Sequence, residues 1–234
     1  MITRFTKKLI KKGLARFGYT AVPSNRLNEL TVPLNCVNVA RLLYFENLIN
    51  KTRTVKGDIV ECGVGWGHSL LILSLLVKID SDDRLIWGFD SFEGFPDPTP
   101  EDLSYRNLKK GENSVDIERI YKLLIDYIGD EHFIRSKICL IKGFFNNTLD
   151  TFPIERISLL NLDVDLYESY KVCLEKLYPK LSVGGIVTFD EYINESYKFP
   201  GALKAINNFF AEKDAKFERD PYYGNFFLVK TSSD

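Results

Sequence analysis

The chain has 234 residues, of which 45% are hydrophobic, 13% aromatic and 27% charged. That is enough apolar side chain for one globular core without disulfide or metal staples, and it excludes a fibrous or intrinsically disordered chain. The formal net charge of −1 excludes a global basic field for nucleic acid.

Residues 1–26 carry seven basic side chains (Arg4, Lys7, Lys8, Lys11, Lys12, Arg16 and Arg26) and no acidic one, so the acidic excess lies in the rest of the chain. Phe5, Leu9, Ile10, Leu14 and Phe17 fall on one face of a helix there. Such a face suits peripheral contact with an anionic membrane surface, or docking on the domain or a partner subunit. Docking is the preferred expectation. The segment has no apolar stretch of signal type, and no run in the chain approaches the ~20 apolar residues of a membrane span, so a cytoplasmic location is expected. Residues 1–50 read as an N-terminal helical extension to a main domain spanning 51–234.

Apolar runs then alternate with helix-like stretches. Gly57–Val64 is followed by a predicted helix from Gly67 to Ile79, and Arg84–Asp90 comes next. A helix around Asp116–Ile128 precedes the run Lys137–Gly143. Ile157–Val164 leads to a helix over Tyr167–Leu181, and Gly185–Tyr192 to one around Ala202–Lys213. The runs are continuously apolar rather than alternating, as strands covered by helices on both faces require. This predicts an α/β fold, a doubly wound, mostly parallel sheet of seven strands. The segments Lys216–Asp220 and Phe226–Lys230, joined by PYYGN, close it as an antiparallel hairpin. Residues 91–115 carry Pro96, Pro98 and Pro100 and exceed a simple connection, so a functional lid or a disordered segment is expected. Cys36, Cys62, Cys139 and Cys173 show no CxxC spacing and no adjacent histidine, so reduced core thiols are expected rather than disulfides or zinc.

The first apolar run ends in Glu61, Cys62, Gly63, Val64, Gly65, Trp66 and Gly67, with His68 and Ser69 opening the helix. Glycines at a strand-to-helix turn let backbone approach a ligand. Neither GxGxxG nor GK[ST] is present, which disfavours a dinucleotide oxidoreductase and a P-loop. An acidic residue two places before the first glycine is the pattern of S-adenosylmethionine sites, where the ligand bears an ammonium and no phosphate. Asp90, ending the second run, is placed to accept hydrogen bonds from ribose hydroxyls. Asp163, Asp190 and Glu191 end the fourth and fifth runs, and adjacent strands would bring them together. Crowded carboxylates repel unless a cation lies between them, and oxygen-only ligands suit magnesium, or manganese or calcium.

From Gly57 to about Lys213 the chain resembles the macrocin O-methyltransferase family, within the class I S-adenosylmethionine-dependent methyltransferases. The resemblance rests on GDIVECGV (57–64), FDSFEGFP (89–96), KGFFNNTL (142–149), LDVDLYES (162–169), LYPKLSVGG (177–185) and DEY (190–192). Two departures stand out: Gly65-Trp66-Gly67-His68 replaces a bulky-basic-glycine-glycine continuation, and Glu191 replaces a second aspartate. The resemblance implies magnesium-assisted methyl transfer from S-adenosylmethionine to a hydroxyl of a sugar, on a secondary metabolite or a surface glycan, by a homodimer.

It also implies residue roles. Glu61 and Gly63, with Gly65 and Ser69 on the same turn, sit by the methionine part of the cofactor. Asp90 holds the ribose. Ser91, Phe92, Lys142, Gly143 and Phe144 surround the adenine. Asp163, placed beside the cofactor, holds the metal with Asp190 and Glu191, and Asp165 is the general base. Metal coordination would stabilise the developing alkoxide, with Asp165 taking the proton. The rival readings are a catechol- or phenol-type O-methyltransferase, with the same metal site, and a non-catalytic binder of cofactor or glycan. His68, Tyr167 and Tyr192 are candidate cleft residues, Glu168 complements a helix N-terminus, and His132 is expected on the surface.

Overall fold

A computed structural model describes residues 35–192 and 198–231. The basic apolar-faced helix expected at the start of the chain lies outside the described residues. The strands are β1 (Asp58–Cys62), β2 (Ile86–Asp90), β3 (Ile138–Lys142), β4 (Ile157–Leu162), β5 (Leu181–Phe189), β6 (Phe217–Arg219) and β7 (Phe226–Val229). They form one seven-stranded sheet in the order β3-β2-β1-β4-β5-β7-β6. Pairing is parallel from β3 through β5 and antiparallel through β7 and β6, the expected α/β sheet with its terminal hairpin.

The described helices are α1 (Cys36–Thr52), α2 (His68–Ile79), α3 (Ile117–Ile128), α4 (Glu131–Lys137), α5 (Phe145–Thr148), α6 (Tyr167–Leu177) and α7 (Pro200–Phe210). Their local causes are legible. In α3, Ile120, Leu123, Leu124 and Ile128 recur at helical spacing and are all buried. Asp116 caps its start by accepting from the Glu118 amide, and Gly129 ends it at φ 63°. On one sheet face, Val60, Phe89, Leu160 and Phe189 pack with Tyr170 and Leu174 of α6 and Ile206 of α7. Each such buried side chain is worth ~1.5–3 kcal/mol. The alternate residues Ile59, Leu159 and Ile186 turn to the opposite face, on which α1 packs against β4 and β5.

That second face carries a buried polar row. Glu61, Asn161 and Thr188 are register neighbours on β1, β4 and β5. Asn161 Nδ2 donates to Glu61 Oε1 at 2.9 Å, and Thr188 Oγ1 donates to Asn161 Oδ1 at 2.6 Å. The row bonds three side chains that would otherwise be stranded among aliphatic neighbours.

Three segments differ from expectation. Helix α6 stops at Leu177, because Tyr178–Lys180, with Pro179, forms a 3-10 turn, and β5 already begins at Leu181 rather than at Gly185. The short helices α4 and α5 lack a long enough apolar period to be read beforehand; Asp130 caps α4 through the Phe133 amide. The loop 91–115 is folded back on the domain. Asp102, 3% exposed, accepts from the Thr99 amide and hydroxyl through Oδ2, and from the Tyr167 amide at the start of α6 through Oδ1, each at 2.8 Å.

Because β1 lies between β2 and β4, successive connections leave its carboxyl end in opposite directions. A crevice opens there.

Candidate active site

A cavity of about 660 Å³ fills that crevice, a size that holds a small-molecule ligand. Its floor is the turn after β1. Gly63, Gly65 and Gly67 have φ of 87°, 50° and 80°, a region that L side chains rarely adopt. At Gly63 a Cβ would fall far inside contact distance of the Asp163 carbonyl oxygen. The turn is tied to its neighbours: Gly63 N donates to the Phe89 carbonyl at 2.9 Å, and Asp163 N to the Cys62 carbonyl at 3.0 Å. Asp90 lines the cavity and clamps two loop tips, accepting from the Gly65 amide at 2.9 Å and the Phe92 amide at 2.7 Å. Burial raises its carboxyl above the ordinary range, and these amides oppose the rise.

Asp163, Asp165 and Glu191 each offer an oxygen, and the three lie within 4.8 Å of one another. Asp165 sits at φ 60°, unusual for a residue with a side chain, which turns it beside Asp163 in the cavity wall. Glu191, 5% exposed, accepts from the Tyr170 hydroxyl through Oε2, while its Oε1 has no hydrogen-bond partner among the described residues. All three carboxyls are raised, first by burial and then by their like-charged neighbours; Asp165 is pushed up to about 7. The set is oxygen-only, and its spacing suits a hard cation with oxygens 2.0–2.6 Å from the centre, approximate values for magnesium and calcium. The unpartnered Glu191 oxygen, buried among raised carboxyls, is the observation that such an ion would resolve.

Asp190 adjoins this group but is not one of the three. Its Oδ1 accepts from Asn225 Nδ2 at 2.8 Å, so the converging set differs from the expected ligand set by holding Asp165 in place of Asp190. Asp190 is near enough to raise Asp163 and Asp165 electrostatically.

The family model described as macrocin O-methyltransferase (TylF) matches residues 11–218. The chain belongs to that family. It is 34% identical over 149 residues to the demethyldecarbamoylnovobiocin O-methyltransferase of Streptomyces niveus, covering 59% of this chain and 54% of that protein. It is 31% identical over 142 residues to the mycinamicin III 3''-O-methyltransferase of Micromonospora griseorubida, covering 59% and 56%. The chain thus spans about half the length of the curated relatives it matches. Among solved structures, the calicheamicin methyltransferase CalS11 superposes with a TM-score of 0.76 at 25% identity over 97% of this chain and 93% of that one. The O-methyltransferase NovP superposes with a TM-score of 0.70 at 27% identity, covering 83% and 81%.

The residues that the macrocin O-methyltransferase motifs single out fall into two sets. Gly63, Gly65, Ser69, Asp90, Ser91, Phe144, Asp163 and Asp165 line the cavity. Glu61, Phe92, Lys142, Gly143, Asp190 and Glu191 do not. Phe92 is buried, at φ 56°. Lys142 is exposed, 3.9 Å from Glu93. Gly143 has φ 144°, and a Cβ there would come 2.8 Å from Thr148 Cγ2, so it lets α5 start close to β3. Glu61 is fully buried, with Oε2 unpartnered among the described residues, and desolvation pushes its carboxyl up to about 8 against the opposing Asn161 bond.

His68 lines the cavity, and burial followed by the Arg41 and Arg119 charges lowers its pKa. His132 is exposed on α4. Tyr192 packs in the hairpin, stacked on Phe217 at 4.5 Å. The sequence motifs missed Arg41 of α1, which lines the cavity, and Asn225, which holds Asp190. Arg41 left one signal: it is the single charge in the run Cys36–Phe45.

Proposed function

We propose that the protein transfers the methyl group of S-adenosylmethionine to a sugar hydroxyl of a secondary metabolite or glycan, with the help of a divalent cation. The observation that carries this reading is the convergence of Asp163, Asp165 and Glu191 at the edge of a cavity floored by the Gly63–Gly67 turn. The cavity also lines up Asp90, Asp97 and Glu168, an acidic surround suited to a sulfonium, an ammonium and a metal ion. The relatives are named for O-methylation, and one of them, from Streptomyces olivaceus, carries a rhamnosyl group in its name.

Asp163 and Glu191, common to the expected and the converging sets, would hold the cation, with Asp190 adjoining them. A bound divalent cation lowers the cost of negative charge on the acceptor oxygen. Asp165, facing the cavity beside Asp163, takes the hydroxyl proton on a carboxylate oxygen. The Gly63–Gly67 turn and Asp90 would hold the donor, which would supply an electrophilic methyl group for the acceptor oxygen, the carbon–sulfur bonding pair leaving with sulfur. Positioning then supplies much of the rate.

The test is titration of S-adenosylmethionine into the protein with and without magnesium, followed by an acceptor screen, sugars first, that reads release of S-adenosylhomocysteine. Micromolar binding and cation-dependent turnover on a sugar hydroxyl are expected. Absence of cofactor binding under every condition would overturn the reading.

A further inference from the structure

We infer that Arg41 is the receptor for the α-carboxylate of the bound cofactor and that Tyr223 sets its position. The inference rests on the proposed use of S-adenosylmethionine. Among the described residues, Arg41 is the one lysine or arginine that lines the cavity, where it stands with Asp90, Asp97, Asp163, Asp165 and Glu168. A guanidinium in such company would ordinarily close on the nearest carboxylate. Arg41 forms no ion pair among the described residues, although its charge reaches both Glu61 and Asp163.

The reason lies across the sheet edge. Arg41 Nε donates to the Tyr223 hydroxyl at 2.9 Å, and the guanidinium carbon stands 5.3 Å from the centre of the Tyr223 ring. One nitrogen is therefore committed and the plane is held against an aromatic face. Tyr223 is itself fixed: Asp220, 1% exposed, accepts its amide at 2.6 Å and that of Tyr222 at 2.9 Å through one oxygen. The two terminal nitrogens of Arg41 have no other hydrogen-bond partner among the described residues. They form the rigid fork that matches a carboxylate in two parallel hydrogen bonds.

A methionine-derived ligand presents one anionic group, its α-carboxylate, against an ammonium and a sulfonium. An acidic cavity with a single preset arginine complements that charge pattern. The charge of Arg41 also reaches Glu61 and His68, which flank the Gly63–Gly67 turn, and the family resemblance assigns that turn to the methionine end.

The test compares two probes by calorimetric titration: S-adenosylhomocysteine, and its decarboxylated analogue, which keeps the amine and the thioether. Wild type should bind S-adenosylhomocysteine about 10- to 100-fold more tightly than the analogue, the loss expected for a charge-assisted pair of hydrogen bonds. Arg41→Ala should lose that factor for S-adenosylhomocysteine and bind the analogue as wild type does. Arg41→Lys should fall between. Tyr223→Phe, which keeps the ring and removes the hydroxyl, should show a smaller loss with the same selectivity. A folding defect in Arg41→Ala would weaken both probes alike, and the lysine and phenylalanine variants then decide by their selectivity. Equal loss for both probes in all three variants, or no loss, overturns the inference while leaving cofactor use standing. Failure of wild type to bind either probe overturns both.

Discussion

Gly63 and Asp163 meet backbone to backbone at the ends of two neighbouring strands, so closely that the space leaves no room for a Cβ at position 63. The glycine turn and the carboxylate cluster are therefore one construction: the floor of the cavity sets the height of a metal-ligand candidate.

Gly63→Ala should accordingly damage both. The substitution adds a methyl group against a carbonyl oxygen, at a φ of 87° that costs roughly 1–2 kcal/mol for an L side chain. A thermal unfolding midpoint lower by about 5–10 °C is expected from strain and clash together. Cation-dependent stabilisation should be lost in the same variant. A midpoint within a degree of wild type would show that the strand ends part easily and are not coupled.

Asp163→Asn separates charge from shape. It removes one of the like charges that raise Glu191, so without added metal the variant should melt a few degrees higher than wild type. Magnesium at ~100 times its dissociation constant should add about 2.7 kcal/mol to wild type, and little to the variant. Differential scanning calorimetry with and without magnesium reads both effects. Equal stabilisation of the two proteins by magnesium would remove Asp163 from the ligand set.

Glu61 imposes a pH dependence of predictable sign. Its carboxyl is held at about 8 when folded, against an ordinary 4.5. Between those values the folded protein holds the proton that the unfolded chain releases. Stability from this group is thus full below 4.5 and falls as pH rises toward 8, by up to ~1.4 kcal/mol per pH unit. Glu61→Gln has no such titration. Unfolding midpoints taken from pH 5 to about 8.5 should converge for the two proteins at the acid end, where both side chains are neutral, with Glu61→Gln ahead at the alkaline end. Parallel curves would place the Glu61 carboxyl in its ordinary range.

Asp102 anchors the loop that comes after β2. Asp102→Ala leaves the Thr99 and Tyr167 amides without their acceptor, at about 1–3 kcal/mol for each buried group that water does not reach. Limited proteolysis should then cut within residues 97–110 faster than in wild type, with the sheet remaining folded by far-UV circular dichroism. An unchanged cleavage pattern would mean that Lys204, 3.4 Å from Glu101, and the Phe95 backbone bonds hold the loop alone.

The sheet was legible in the sequence because its strands are buried on both faces, so DIVEC, IWGFD and ISLLNL read as near-continuous apolar blocks rather than alternating ones. The glycine turn and the Asp163–Asp165 pair were legible for a different reason: they sit at strand ends, where chain order fixes position. Arg41 and Asn225 were not legible. Each reaches the site from a distant element, and nothing local distinguishes an arginine on a helix, or an asparagine in a hairpin, from one facing water. Glu61 was read as a cleft residue from its place before Gly63. Strand alternation instead sends it under α1, into the polar row with Asn161. The 3-10 turn at Tyr178–Lys180 escaped because a proline after an apolar helix signals only that the helix stops, and leaves the conformation of the next residues open.

The hairpin turn built on Asp220 reaches the crevice twice, through Tyr223 to Arg41 and through Asn225 to Asp190. The first of these contacts joins residues 182 positions apart. On a ribosome the parallel strands can gather while synthesis continues, but the crevice acquires both contacts only after residue 225 has emerged. Ligand competence is therefore a late event in the life of each polypeptide, gained after the bulk of the core and dependent on long-range closure.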